Sequence, residues 1–485
     1  MRVYLFVCKL CSILFCCTSL FAAEKDEREV YMHFIMNGQS LSTGHQSYPV
    51  ISTKNLKGNY MLGNQVWINY GNMLEERFEP LVGNISVAFR NEKFFKSRSA
   101  GTIAECPLLG AVNHIRLKHP RMDKILATSV GVSGASVEEL SKESETRTYY
   151  NDFRTSLELA SNVAGSMNGK MYCPVIFWMQ GEFNYDPNPE KGLRANVPNT
   201  TDKQEYKRLL IQLKDNMQND ILKQYGQQEK PVFITYQTGA QYMRDTLAIS
   251  MAQLEASNEY ADIICAGPIY PMTDRGGHLD ANGYRWFGEM LGKVYYQTKV
   301  QGKTFKPLQP TEIMREKLPN QVRIKYHVPV PPLVFDVHLL PKIRDYGFEV
   351  YLGSYRQENR QTVTNVEIDG EDVVLSCQQP LQGDAGTNSF IEEYQGGKDR
   401  LQGHGNLRDS DSYKAFFNYL DLDEKNKDGS FIYPRDDSET TLRPEYEPED
   451  RSGKVIYGKK YPLYNFSVGF FYKIPTGKDK IGISM

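Results

Sequence analysis

Neither sign of charge dominates this chain: 57 lysines and arginines stand against 59 aspartates and glutamates, a formal net charge of −2 over 485 residues. Without a basic field it lacks the electrostatic footprint of nucleic-acid binding, and no nucleic-acid partner is expected. A membrane-spanning run is also lacking, since the apolar stretch at the N-terminus, Leu10 to Phe21, is too short for a span. Of eight cysteines, four (Cys8, Cys11, Cys16, Cys17) lie in that stretch or beside it. The others, Cys106, Cys173, Cys265 and Cys377, are widely spaced, with no C-x-x-C pair and no histidines at ligand spacing, so no metal cluster is expected. Cys173 and Cys265 sit in apolar runs that read as buried strands, where a free thiol is ordinary; sequence leaves disulfide pairing open. Internal repeats and low-complexity tracts are missing too.

What is present begins with a targeting signal. Arg2 and Lys9 precede the apolar run, small Ala22-Ala23 close it, and polar Glu24-Lys25-Asp26-Glu27 follow. This reads as a signal peptide over residues 1–23 and an exported, periplasmic or extracellular protein. Lipoprotein anchoring at Cys16 or Cys17 is disfavoured, because Phe15 and Cys16 are poor neighbours for such a site. The remainder, with 40% hydrophobic and 24% charged residues, is ordinary globular chain, long enough for more than one domain.

From residue 24 to about 300 strand and helix patterns alternate. An apolar run, Val30 to Met36, ends abruptly in Asn37-Gly38-Gln39-Ser40, as a buried strand does when it delivers a serine to the rim of a sheet. Residues 41 to about 120 read as extended surface loops. Further strands are expected at Lys124–Gly131, Cys173–Met179, Pro231–Tyr236 and Asp262–Ala266. Helices are expected over about 137–167, from a Thr201-Asp202 cap to Gln224, over 246–259, and from an Asp280 cap through Gln297. Five strands alternating with helices predict a parallel sheet covered on both faces. Ser40, Gly134, Gln180 and His278 each follow a strand, at the edge where α/β active groups gather.

After about residue 300 the character changes. Pro307, Pro310, Pro329, Pro331 and Pro332 mark a linker or edge-strand entry. Short β-type runs follow at Leu333–Leu340, Tyr346–Tyr351, Val363–Ile368, Asp372–Leu375 and Tyr464–Tyr472. Residues 301–485 therefore read as a mostly β domain, sandwich or jelly-roll in type, with Arg400–Asp411 as a long polar loop.

A serine hydroxyl becomes a nucleophile only when a base takes its proton and the base is itself oriented. His278, in a polar turn between the last strand and a helix, is the favoured base for Ser40. Asp274, four residues earlier, can curl back to the imidazole. His45 lies close enough to Ser40 to touch substrate. Acyl transfer also needs donors aimed at the oxyanion; the amide of Ser40, that of Gly134 and the side chain of Gln180 are candidates. Glu182 is expected to hydrogen-bond within the floor of the site. Paired as carboxylates, Glu182 and Asp274 would instead suggest a glycosidase.

The blocks G-Q-S-L, G-A-S-V-E-E-L, W-M-Q-G-E and D-R-G-G-H-L-D-A-N-G-Y, in this order over residues 29–298, resemble the SGNH hydrolase superfamily and, within it, the sialate O-acetylesterase-like carbohydrate esterases. The resemblance implies a three-layer α/β/α fold, Ser40 as nucleophile, His278 as base, Asp274 as its partner, Gly134 and Gln180 as oxyanion donors, and neither metal nor organic cofactor. One departure is that the aspartate stands four positions before the histidine, where the family usually has three. The chain is accordingly expected to be an exported carbohydrate O-acetylesterase acting on acetylated glycans. A non-catalytic glycan-binding protein on a degenerate esterase fold and a two-carboxylate glycosidase are the alternatives.

Overall fold

The strand that carries Ser40 forms as its apolar run predicts, and it lies at the middle of a seven-stranded sheet. The computed structural model describes residues 28–47, 49–68, 76–83, 105–145, 148–185, 198–239, 247–275, 277–353, 357–382, 385–388, 403–433 and 444–485. The expected signal peptide, residues 1–23, lies outside them, as do residues 69–75 and 84–104 of the expected loop region and residues 400–402 of the expected polar loop.

In chain order the first half comprises β1 (Glu29–Gly38), α1 (Ser40–Thr43), β2 (Asn59–Leu62), β3 (Phe78–Pro80), α2 (Pro107–Lys118), β4 (Lys124–Ser129), α3 (Val137–Leu140), α4 (Tyr150–Ser166), β5 (Gly169–Met179), α5 (Lys203–Tyr225), β6 (Val232–Gln237), α6 (Ala248–Glu259), β7 (Ile263–Pro268) and α7 (Ala281–Tyr295). The sheet order is β3-β2-β4-β1-β5-β6-β7, parallel throughout except for the β2–β3 pair. The five expected strands are thus contiguous, and two short strands extend the sheet beyond them. These come from the region read as loops; strands of four and three residues are too short to show a period. The same region supplies α2, whose Leu108, Leu109, Val112 and Ile115 are buried. The single helix expected over 137–167 is two, α3 and α4. Asp202 and Asp280 cap α5 and α7 as expected, accepting from Glu205 N at 2.8 Å and Gly283 N at 2.6 Å.

Alternation along the strands makes the three layers. Tyr31, Ile35, Ile176 and Trp178 pack with Phe153 and Leu157 of α4 and Leu210, Leu213 and Met217 of α5. Phe34, Met36, Val175 and Phe177 face the other way, against Val112 and Ile115 of α2 and Phe287, Leu291 and Val294 of α7. That second core does not stop at α7. It continues into Leu308, Ile313, Ile324, Val350, Leu375, Leu463 and Phe466.

The second half is antiparallel β structure. Strands 363–369, 372–377, 321–327, 309–315 and 480–482 form one sheet in that spatial order, and 349–352, 385–388 and 471–474 another. Strands 309–315 and 321–327 occupy the segment whose prolines suggested a linker or edge-strand entry. Pro310 is accommodated where the register shifts between Pro310 and Glu312. All four cysteines of the described residues are buried and free, and desolvation raises the thiol pKa of each.

Helices α2 and α7 meet through glycine. A Cβ on Gly288 would stand 2.2 Å from the carbonyl oxygen of Pro107 and 2.9 Å from Gly110 Cα. Helix propensity alone favours Gly→Ala by about 0.5–1 kcal/mol, whereas overpacking against backbone costs about 1–3 kcal/mol, so the clash decides the sign. Gly288→Ala should therefore lower unfolding free energy in urea. Gly165→Ala, on α4 with nothing within 4 Å of the added carbon, should raise it by about 0.5–1 kcal/mol.

Candidate active site

β1 ends against β5. Gly38, at φ +145°, passes so close to Met179 that a Cβ would lie 2.0 Å from its carbonyl oxygen, an approach that only glycine permits. Gln39 then ties the two strand ends together. Its N–H donates to Met179 O at 2.8 Å, and its Oε1 accepts from the amides of Gly181 at 3.2 Å and Phe183 at 3.0 Å. Ser40 opens the short helix α1, which Gly44 closes in the left-handed conformation. The hydroxyls of Ser42 and Thr43 return to the carbonyls of Gln39 and Ser40, so the turn that presents Ser40 is fixed from within and from β5.

Ser40 is only 6% exposed, and its Oγ stands 2.7 Å from Nε2 of His278. The histidine comes from a tight loop before α7. Asp274 pairs across that loop with Leu279, Arg275 N donates to His278 O at 2.8 Å, and Asp280 N donates to Thr273 O at 3.2 Å. The expected serine and base are thus brought together across 238 residues. His45 also reaches the pair, its ring edge-on to His278 with centroids 4.8 Å apart.

Two expected placements differ. Asp274 does not hydrogen-bond to His278: the imidazole's two hydrogen bonds go to Ser40 and, from Nδ1, to Gln46 Oε1 at 2.9 Å. The charge of Asp274 acts instead on Asp280 and Tyr446, whose pKa values it raises, and its carbonyl accepts from Glu445 N at 2.8 Å. Gln180, expected to donate to an oxyanion, has both Nε2 protons engaged, with Ala135 O at 3.2 Å and Asn184 Oδ1 at 2.6 Å. Its Oε1 accepts from the Tyr206 hydroxyl at 3.0 Å. The side chain is spent on joining the loops after β4 and β5.

Gly134 adopts φ +68° in the loop after β4, which is bound to the serine turn through Val132 N to Gly38 O at 2.9 Å and Ser129 Oγ to Ser42 O at 2.9 Å. Among the described residues, the N–H groups of Ser40 and Gly134 donate to no other residue. Glu182 lies beneath, 3% exposed, with Oε2 accepting from the Tyr236 hydroxyl and Oε1 buried without a partner. Gln46 was missed because nothing in its neighbourhood marks it; its only local sign is its closeness to Ser40.

Burial governs the site's electrostatics. Desolvation, helped by His45, pushes the His278 pKa down to about 3. It pushes Glu182 and Asp280 up to about 7, against the hydrogen bonds of Tyr236 and Thr273. Among the described residues no group of His, Cys, Asp and Glu could hold a metal ion, and no helix is long and apolar enough to cross a membrane.

The α/β/α architecture, the β half and the serine–histidine pair at the strand ends define an α/β protein built on the layers that the SGNH resemblance implies. No protein-family model and no curated protein matches the chain. Among solved structures it is similar to a carbohydrate acetylesterase from Xanthomonas citri, with 11% identity over 78% of this chain and 77% of that one and a TM-score of 0.47. It is also similar to NanS, with 12% identity over 56% and 99% and a TM-score of 0.39, and to an aryl esterase from M. smegmatis, with 9% identity over 56% and 99% and a TM-score of 0.27. Likenesses this distant assign no activity.

A histidine whose pKa is lowered by burial stays neutral through the range where an ordinary one charges. NMR titration should show His278 uncharged down to about pH 5, as well as His33, which burial also lowers to about 3. An imidazole shift titrating near pH 6.5 at either position would contradict this.

Proposed function

We propose that this protein is an exported carbohydrate esterase that removes acetyl groups from glycans by way of an acetylated serine. The observation that carries the reading is the 2.7 Å contact between Ser40 Oγ and His278 Nε2, at the carboxyl end of a central parallel strand. Ser40 Oγ attacks the acetyl carbonyl carbon while its proton passes to Nε2 of His278. The oxyanion of the tetrahedral intermediate is held by the amides of Ser40 and Gly134, each such donor contributing about 3–4 kcal/mol at the transition state. On collapse the carbon–oxygen bond to the sugar breaks, and His278 returns the proton to the departing sugar oxygen. Water then attacks acetyl-Ser40, giving its proton to His278, and acetate leaves with Ser40 restored.

The near-complete burial of Ser40, with His278 half-buried beside it, favours a short acyl group. A sugar substrate and export rest on the motif resemblance and on the segment 1–23; a mature N-terminus near Glu24 is the expected mark of export. The glycosidase alternative loses ground, because Glu182 is buried and its carboxylate is held by the Tyr236 hydroxyl.

Acetate release from p-nitrophenyl acetate and from a panel of acetylated glycans, measured on wild type and Ser40→Ala together, tests the reading. The variant should lose activity by about a thousandfold or more, and wild type should prefer acetyl over longer acyl esters. Full activity in Ser40→Ala, or no hydrolysis of any ester by wild type, would refute it. In the latter case retained sugar binding would favour the glycan-binding alternative.

A further inference from the structure

We infer that Gln46 is the positioning residue of the serine–histidine pair, holding His278 in the Nδ1-protonated tautomer from the place where a carboxylate would be expected. The inference rests on the esterase reading above and deepens it.

The donor and acceptor inventory gives the first step. Nε2 can accept the Ser40 proton only if the ring proton is on Nδ1, and Nδ1 lies 2.9 Å from Gln46 Oε1. An amide oxygen accepts and cannot donate, so it selects that tautomer and fixes the ring plane at once. The opposite tautomer would set the Nδ1 lone pair against the amide oxygen and turn an N–H toward the serine, leaving no base.

The backbone around Gln46 is built to hold it there. Gln46 is a non-glycine residue at φ +61°, a conformation that L side chains adopt rarely and that neighbours must enforce. They do so on both sides. Tyr284 of α7 donates to His45 O at 2.8 Å, Ser47 N donates to Gly44 O at 3.2 Å, and Ser47 Oγ accepts from Glu105 N at 2.8 Å. Glu105 is itself buried and takes the amides of Ile51 and Ser52. The strained residue is pinned by α7 and by the entry to α2, the two helices that meet through glycine.

The charge around the imidazole completes the case. His45 faces it from the turn after α1. Asp274, Arg275 and Asp280 belong to its own loop, and of these Asp280 is occupied with Thr273 and Gly283. Arg275 reaches Gln46 O with Nη1 at 3.4 Å. The group in contact with Nδ1 is therefore a neutral dipole. It orients the base without stabilising the imidazolium that forms in the transition state, which trades basicity for activity that persists into acid.

The test is kcat and KM against pH for wild type, Gln46→Ala and Gln46→Glu, with Ser40→Ala as the blank. Gln46→Ala should lose about ten- to hundredfold in kcat with KM little changed, since an unoriented base forfeits part of general-base catalysis. Gln46→Glu should have a kcat at pH 8 well above that of Gln46→Ala and move the acid limb of kcat/KM up by about one to three pH units, the effect of an anion beside the imidazole. An unchanged kcat in Gln46→Ala, or an unmoved acid limb in Gln46→Glu, would overturn the inference while leaving a Ser40-dependent esterase intact. If wild type proves inactive, the esterase reading fails by itself. Imidazole 15N shifts then still decide: Nδ1–H in wild type with a mixed tautomer in Gln46→Ala supports the positioning role, and one tautomer in both refutes it.

Discussion

Helix α7 is buried at every one of its residues from Ala281 to Tyr295, and most of the molecule is arranged to make that possible. A helix covered all round must satisfy polar side chains inside the protein or carry none. α7 carries three charges; Glu289 and Lys293 are hydrogen-bonded, whereas Nε of Arg285 is buried with no hydrogen-bond partner among the described residues. Glu289 accepts from the amides of Phe416 at 2.6 Å and Phe417 at 3.0 Å and from His114 Nδ1 at 3.0 Å. Lys293 donates to Leu463 O at 2.7 Å and pairs with Asp411 at 2.7 Å. Arg285 lies over the Phe417 ring, 5.0 Å from its centroid. Removing one partner of such a set strands the other, so these contacts specify a position more than they add stability.

That position is what the site uses. Asp280 caps α7 and takes the Thr273 hydroxyl, closing the loop that carries His278. One turn on, Tyr284 holds the carbonyl of His45 next to Gln46. His278, Gln46 and the serine turn are therefore referred to one helix end. The β half takes part because Trp286 Nε1 donates to Pro462 O at 2.7 Å and because the apolar core runs through α7 into strands 309–315 and 321–327. The described residues of the β half act as one wall of the core that fixes the helix.

The parts of this arrangement legible in the sequence are those with local causes. β1 and β5 announce themselves by continuous apolar runs, α5 and α7 by an aspartate cap followed by a periodic face, and the serine turn by glycine between a strand and small polar residues. α2 carried its signal as well, Pro107 at the first turn and then Leu108, Leu109, Val112 and Ile115, but it stands in a stretch otherwise rich in Asn, Gly and aromatics. The prolines between 307 and 332 left a linker and an edge-strand entry both open; two strands form there, and a register shift absorbs Pro310.

The misplaced site residues have other causes. Gln180 and Asp274 have the right chemistry at the right end of the sheet, yet hydrogen-bond demand captures the Gln180 side chain, and Asp274 is fixed by its backbone. A buried primary amide has two protons to satisfy, and Ala135 and Asn184 lie closer to Gln180 than any substrate could before binding. The backbone of Asp274 pairs across its own loop with Leu279. The vacancy this leaves at Nδ1 is filled from 232 residues away by a side chain on a left-handed turn, a contact with no periodicity or spacing to betray it. Substituting an amide for a carboxylate there has a physical consequence beyond geometry. A carboxylate would raise the basicity of the imidazole and oppose its desolvation, whereas the amide leaves desolvation unopposed, which is why the His278 pKa falls so far below that of an ordinary histidine. The depressed basicity and the neutral partner are thus one feature, set by how the chain enters and leaves the N-terminal end of α7.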